Sequence, residues 1–306
     1  SQANVHLDVR EDITAADADL QCGSFSRGPL RWLMEWNYPN AKLPVFRRTT
    51  EPPEDLIIIE IDEHSILQLG RWPWSRDVHA NLLDILTASD AKAVGIDVIF
   101  SDGDVANPAT DRRFYTALKA NGKTVLPVHL EQINRSGQII EVLPTTDFFE
   151  ASANVGHVHI EYDNDGISRS VYLKEGLGDA YWPHFSVALL QTASSTKLEL
   201  PGIKDDSDNN YSSMEIVRDR HNLIPFHFPP RSFSSVSYVD VLNGRIPASV
   251  FADKTVLIGA TATGLGDVIV TPIGSITGVE LNAFIYEALR SSSFIQTPTS
   301  ITNTVI

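Results

Sequence analysis

The chain has almost no cysteine, since Cys22 is the only one among 306 residues. A single thiol cannot form an internal disulfide, and alone it supplies neither a zinc site nor a redox pair. Basic residues are also few, with 24 Lys and Arg against 39 Asp and Glu and a net charge of −15. This acidic balance argues against nucleic acid and against an anionic membrane surface as partners.

Long apolar runs are missing as well. No stretch approaches the roughly 18 consecutive apolar residues that cross a bilayer, and the start of the chain lacks a signal-peptide pattern. We therefore expect a soluble chain. It would be either a cytosolic protein or a soluble piece of a longer membrane protein.

The sequence does contain a regular alternation of strands and helices. Apolar, β-branched runs predict buried strands at 56–61, 93–100, 124–128 and 254–260. Amphipathic periodicity predicts helices at 76–88, 110–121 and 281–289. This order is typical of right-handed crossovers. The predicted fold class is α/β, with a mostly parallel central sheet flanked by helices.

An inserted antiparallel β-hairpin is predicted at residues 155–173. Its arms would be 155–162 and 167–173, with Asn164, Asp165 and Gly166 supplying the turn. His157 and His159 alternate along the first arm, a spacing that also suits a metal site. Because no third ligand is near them in the sequence, we interpret them as hairpin residues.

Composition divides the chain into three parts. Acidic residues dominate the start of a poorly defined segment at residues 1–50, and Pro52 and Pro53 separate this segment from the first strand. The main domain is predicted to cover residues 51–296. Residues 297–306 then form a short C-terminal segment.

Two acids mark the ends of predicted strands, where ligands bind in open α/β sheets. Asp62 ends the first strand and Asp97 lies near the end of the second, which we predict to be its neighbour. Facing one crevice, the two carboxylates could hold a divalent metal or share a proton. In the structural alternative, Asp62 caps the next turn and Asp97 is satisfied by an Arg or by backbone donors.

An aromatic turn follows Asp62 in the sequence. Trp72, Trp74 and Arg76 could grip a planar or cationic ligand by stacking. The alternative is a lid that packs on the edge of the sheet, with Arg76 paired to a local carboxylate. The two interpretations differ in whether the indole rings are open to a ligand.

Motifs for nucleotide or nucleophile chemistry are weak. Gly259, Gly264 and Gly266 follow a predicted strand, and their backbone N–H groups could meet an anion. Their spacing is neither the dinucleotide fingerprint nor a phosphate loop. No Ser lies in a Gly-x-Ser-x-Gly elbow. We therefore predict no catalytic residue, no metal ligand and no cofactor.

Several separated blocks resemble the type-two CHASE family, the cyclase- and histidine-kinase-associated sensory extracellular domains. The first block carries Ile61, Asp62, Ser65, Gly70, Trp72, Pro73, Trp74, Arg76 and His79. Later blocks follow in the same order, at residues 95–100, 156–169, 237–242 and 254–280. The resemblance covers residues 51–296.

The resemblance implies a non-catalytic extracytoplasmic sensor, preceded by one membrane helix and followed by further membrane helices and a cytoplasmic output module. In this family such modules include cyclic-nucleotide enzymes and protein kinases. Residues 297–306 would then lead into a membrane helix. The expected partners are an unknown small-molecule signal, the membrane through the flanking helices, and a second copy of the chain in a possible homodimer.

Under this interpretation a signal binds near residues 62–76 and shifts the helix at 281–290. The candidate ligand-binding residues are Asp62, Ser65, Trp72, Trp74, Arg76, Asp97 and Asp267. Two rival functions stay open at this point. One is a metal-dependent hydrolase that uses Asp62 and Asp97, and the other is a structural dimerisation module.

Overall fold

A computed structural model of the protein describes residues 51–133, 139–203 and 211–295. The predicted N-terminal segment at 1–50 and the C-terminal segment at 297–306 lie outside the described residues. None of the helices in the described ranges is both long enough and apolar enough to cross a membrane.

The described residues form twelve strands. They are β1 (Leu56–Ile61), β2 (Ala93–Asp97), β3 (Thr124–Gln132), β4 (Ile139–Val142), β5 (Asn154–His157), β6 (Ser170–Leu177), β7 (Trp182–Pro183), β8 (Ile216–Leu223), β9 (Ser234–Ser237), β10 (Thr255–Ala260), β11 (Val268–Thr271) and β12 (Gly274–Thr277). The α-helices of the same ranges are α1 (Glu63–Leu69), α2 (Arg76–Ala88), α3 (Pro108–Asn121), α4 (Thr146–Ala151), α5 (Phe185–Ser194), α6 (Tyr238–Leu242) and α7 (Gly278–Arg290), and a short 3-10 helix covers Ala248–Phe251.

The central sheet has seven strands. Its order is β4-β3-β2-β10-β1-β9, and β5 also pairs with β3. All of these pairs are parallel except β3 with β4. A three-stranded antiparallel sheet, β7-β6-β8, and the hairpin β11-β12 complete the fold. The predicted α/β class, with a mostly parallel sheet and an added antiparallel region, is confirmed.

Side chains alternate across β1, so both faces of the sheet are apolar. Leu56 and Ile58 join the core that contains α5 and α7. Ile57 and Ile59 join the opposite core, formed with α2 and α3. Covering by helices on both faces explains why the strand is a continuous apolar run rather than an alternating one.

The predicted helices are confirmed with small changes at their ends. The helix α3 begins at Pro108, two residues before the predicted start, and ends at Asn121, where the C-cap Gly122 has a left-handed φ of 63°. Strand β2 ends at Asp97, whereas the sequence predicted strand to residue 100. The helix α7 buries its predicted apolar face.

The predicted hairpin at 155–173 is wrong in its pairing. Its first arm becomes β5, which pairs in parallel with β3, while its second arm becomes β6, which pairs with β7 and β8. The predicted turn exists, because the Gly166 N–H donates to the Asp163 carbonyl at 2.8 Å. Alternation predicts which face of a strand is buried but does not identify its partner, so each arm joins a different sheet.

Candidate functional site

Asp62 and Asp97 both lie at the carboxyl edge of the central sheet, but they do not end neighbouring strands. Strand β10 lies between β1 and β2, so the prediction of adjacent strand ends is wrong. The two acids belong to separate sets of contacts. Within the described ranges, no group of three His, Cys, Asp or Glu residues could hold a metal ion.

Asp62 is the N-cap of α1, in line with the structural alternative. Its Oδ1 accepts hydrogen bonds from the Ser65 N–H at 2.8 Å and from the Ser65 hydroxyl at 2.5 Å. The hydroxyl of Ser237, at the end of β9, donates to the same oxygen at 3.0 Å. Ser65 is fully buried, and its Oγ accepts the Val239 N–H at 3.1 Å. Asp62 and Ser65 therefore join α1 to the start of α6.

The segment at residues 72–76, called the tryptophan turn below, packs against the sheet. Trp74 is 4% exposed, and its Nε1 donates to the Gly70 carbonyl at 3.0 Å. Its ring lies 5.0 Å from that of Trp72, edge to face, and 4.9 Å from that of Tyr238. Because Trp74 is enclosed by aromatic rings, its indole is part of the core.

His79, on α2, lies beneath this turn. Its Nδ1 is 3.0 Å from the Tyr238 hydroxyl, and its ring meets those of Trp72 and Phe100 edge to face. Burial, followed by the nearby Arg76 charge, lowers the pKa of His79 to about 3. The imidazole is therefore neutral at physiological pH.

Arg76 is fixed by three contacts on its own side of the sheet. Its Nη2 donates to the Asp102 carbonyl at 3.0 Å, and its Nε lies 3.7 Å from the Asp111 carboxylate. Its guanidinium also lies 5.0 Å from the centre of the Phe100 ring. The side chain is paired with a local carboxylate, as in the structural alternative.

Asp97 is in a different environment, which we call the Asp97 contact: Asp97, Asn282 and Asp267. Asn282 Nδ2 donates to Asp97 Oδ2 at 3.0 Å. Burial of the carboxyl group raises the pKa of Asp97 to about 6. The Asn282 hydrogen bond opposes this rise, and the Asp267 carboxylate adds to it. Asp97 can therefore exchange a proton near neutral pH.

The Asp97 contact includes the first turns of α7. Asn282 is 5% exposed, and its backbone carbonyl accepts the Ser186 hydroxyl at 2.9 Å. A Cβ at Gly259 would lie 2.6 Å from the Cβ of Val279, so glycine lets α7 approach β10 closely. Gly259 thus serves packing. The sequence analysis missed Asn282, although an amide within the apolar face of a helix is a signal of a buried polar contact.

A small acidic cleft lies nearby, between β1, β9 and the start of α7. Its space of about 20 Å³ is enough for one water molecule. Glu60 and Glu280 line it, and burial is the first cause that raises the pKa of each. The Arg231 N–H donates to Glu280 Oε1, and the Arg231 charge opposes both rises. The sequence analysis did not identify these residues.

The candidate residues therefore fall into three groups along one edge of the sheet. Asp62 and Ser65 form a cap, Trp72, Trp74 and Arg76 form a packed turn, and Asp97 lies near Asp267. Only the third group joins an ionisable carboxyl group to α7, the helix that lies on the face of the sheet opposite α2 and α3. It is the best candidate among them for a residue that responds to a ligand.

Comparison with known proteins agrees with the resemblance in the sequence. The family model of the CHASE2 domain matches residues 22–306. This match includes residues 22–50, for which the sequence pattern predicted no domain. CHASE2 domains are extracellular sensory domains. Neither the comparison with curated proteins nor that with solved structures finds a match.

Proposed function

This chain belongs to the CHASE2 domain family, and from that premise we propose that it is the extracytoplasmic sensory domain of a bacterial membrane-bound signalling protein. It lies on the periplasmic side of the cell membrane, and flanking membrane helices anchor it. It detects a small-molecule signal and controls a cytoplasmic output module. The family match over residues 22–306 is the observation that carries this proposal.

The Asp97 contact is the proposed site of detection. A ligand that competes with Asn282 for the Asp97 carboxyl would alter the first turns of α7. The face of α7 is packed on β1 and β10, so a change at its N-terminal end is passed along a rigid element. A ligand with different affinities for the two positions of α7 shifts their populations.

Output from the full-length protein in membranes tests this site. The variant Asp97→Asn keeps the size of the side chain but cannot ionise. We expect it to change basal output or to abolish the response to the signal. The matched control is Asp253→Asn, since Asp253 is exposed and lies just before β10, at the opposite end of the strands. Output from both variants equal to that of the wild-type protein would contradict the Asp97 site.

A thermal-shift screen of this segment against small metabolites tests ligand binding separately. A ligand that binds only the folded state raises the melting temperature, and above Kd the stabilisation grows with the logarithm of its concentration. We expect this rise to be lost in Asp97→Asn and kept in Asp253→Asn. A rise that persists in Asp97→Asn would move the binding site elsewhere without contradicting the sensor function.

The rival functions differ in their support. The hydrolase hypothesis depended on Asp62 and Asp97 at the ends of neighbouring strands, and β10 separates those strands.

Self-association remains a proposal, and the last strand of the central sheet, β9, pairs only with β1 among the described strands. Sedimentation equilibrium measures it directly. Strong dimerisation with no ligand response in any assay would favour the dimerisation module.

A further inference from the structure

Three histidines lie where the central sheet meets the antiparallel sheet. His157 ends β5, His159 follows it, and His184 is the N-cap of α5. We call these histidines and the charged side chains around them the histidine seam. Its members are His157, His159, His184, Glu161, Glu175 and Arg218.

His184 links the two sheets through its backbone and its ring. It forms an isolated parallel bridge with His157, and its N–H donates to the Leu173 carbonyl of β6 at 2.9 Å. The two imidazole rings are 5.0 Å apart, edge to face. Both residues are 1% exposed. The pair is therefore a dry contact that holds β6 next to β5.

Both rings use Nδ1 as an acceptor. The Ser186 N–H donates to His184 Nδ1 at 3.1 Å, and the His159 N–H donates to His157 Nδ1 at 3.4 Å. The proton of each neutral ring is therefore assigned to Nε2. A second proton would have to go on Nδ1, where it would face an N–H donor. Protonation of either ring breaks its present hydrogen bond.

The carboxylates of the seam are already engaged elsewhere. Arg218 donates through Nε to Glu175 Oε2 at 2.8 Å and through Nη1 to Glu161 Oε2 at 3.4 Å. His159 lies between the same two carboxylates, with Nε2 at 3.3 Å from Glu161 and Nδ1 at 3.9 Å from Glu175. These carboxylates compensate a proton on His159 in part, although burial still lowers the pKa of this histidine.

No carboxylate contact of this kind is seen for His157 or His184 in the described residues. The ionisable groups that act on His157 are His184, His159 and Arg218, and the one that acts on His184 is His159. Tyr172 of β6 and His221 of β8 are two further ionisable side chains of the antiparallel sheet, and their rings pair with each other at 4.9 Å. A charge on His157 or His184 is thus repelled and poorly solvated.

Burial, followed by these neighbouring positive charges, holds the pKa of His157 well below its usual range. Burial, followed by the nearby His159, lowers the pKa of His184 to about 3. If β6 moves away, both rings meet water and regain a pKa near 6.5. The open arrangement therefore binds more protons than the closed one.

We propose that the histidine seam is an acid-sensitive contact, which holds the antiparallel sheet against the central sheet at neutral pH and releases it when His157 and His184 take up protons. The direction of the pH dependence follows from the number of protons that the closed and open arrangements bind. The contact is intact above about pH 6.5 and weakens as the pH falls, because the open form gains protons. Each histidine raises the opening constant by up to about ten-fold per pH unit. This device is separate from the Asp97 contact and does not depend on the proposed function.

Hydrogen exchange of the wild-type protein, followed by mass spectrometry from pH 7.5 to pH 5, tests the location of the change. After correction for intrinsic exchange rates, protection in peptides from β6 and β8 should fall more than ten-fold. Protection in β1 and β10 should fall much less. Equal loss in all strands, or no loss in β6 and β8, would overturn the proposal.

Substitution tests the cause. In the double variant His157→Gln, His184→Asn neither residue titrates, and Asn at position 184 can still cap α5. We expect protection in β6 and β8 to become nearly independent of pH. The control is His129→Gln on the adjacent strand β3, which should respond as the wild-type protein does. A pH response of β6 and β8 that survives in the double variant would overturn the role of these histidines. If the double variant does not fold, the single variant His184→Asn should show a smaller pH response than the wild-type protein.

Discussion

The tryptophan turn and the Asp97 contact lie at the same edge of one sheet, but different interactions dominate in each. In the tryptophan turn, the indole N–H of Trp74 donates to the Gly70 carbonyl in the first crossover, and the guanidinium of Arg76 donates to the Asp102 carbonyl in the loop after β2. At Asp97, one amide from α7 donates to a partly buried carboxyl group. Aromatic packing stabilises the first region, whereas burial of an ionisable group makes the second sensitive to its surroundings.

The two regions also contain buried groups with opposite pH dependence. His79, beneath the tryptophan turn, has a lowered pKa of about 3, so its contribution to stability is lost as the pH falls below about 6.5. Asp97 has a raised pKa of about 6, so its contribution is present at low pH and lost as the pH rises from 3.8 to about 6. One edge of the sheet therefore carries one group that makes the fold more stable at neutral pH and one that makes it more stable in acid.

The largest expected effect comes from truncating the tryptophan turn. Trp74→Ala should lower the free energy of unfolding by about 3–5 kcal/mol, because it removes a ring packed on Trp72 and Tyr238 and leaves a cavity. Urea denaturation measures this loss. The control Leu67→Ala, at a side chain that is 82% exposed, should change the value by less than about 0.5 kcal/mol. A small loss for Trp74→Ala would mean that the turn is open to ligands.

Asp97 should give the next effect, and it should depend on pH. The difference between its usual pKa of 3.8 and its value of about 6 corresponds to at most about 3 kcal/mol. Asp97→Asn should remove the associated decrease in stability between pH 4 and pH 7. Denaturation at several pH values measures it, with Asp253→Asn as the control. If both variants show the wild-type pH profile, Asp97 is not a buried titrating group.

The smallest expected effect is at the cap of α1. Asp62→Ala should lower the free energy of unfolding, measured by urea denaturation, by about 1 kcal/mol. It removes the oxygen that accepts hydrogen bonds from the Ser65 N–H and from two hydroxyl groups. Ser75→Ala is a matched comparison, because Ser75 is the N-cap of α2 but makes no side-chain cap hydrogen bond. It should cost less. Equal losses at the two caps would show that the Asp62 contacts add little.

The sequence predicted the elements of the central sheet because each has a local signature. Residues 56–61 are apolar on both faces, and α7 repeats its apolar positions at helical spacing. The cap at Asp62 and the pairing of Arg76 with a local carboxylate were also foreseen as structural alternatives. These features depend on residues close together in the sequence.

The contacts between distant segments were not predictable in the same way. Asn282 is 185 positions from Asp97, and no local pattern indicates which acid it meets. The wrong partner assigned to β5 has the same origin, since alternation describes a face and not a neighbour. The histidines of that segment therefore appeared to belong to a hairpin, although they form the boundary between two sheets.

The sequence by itself determined the α/β class, the buried strands and the family, because these depend on local periodicity and on motifs in order. Only the tertiary structure decided that β10 separates Asp62 from Asp97, that Asn282 reaches Asp97, and that His157 meets His184. The physical reason is that strand order and side-chain burial are properties of the whole packed core. A carboxyl or an imidazole acquires its pKa from neighbours that the chain brings together only on folding.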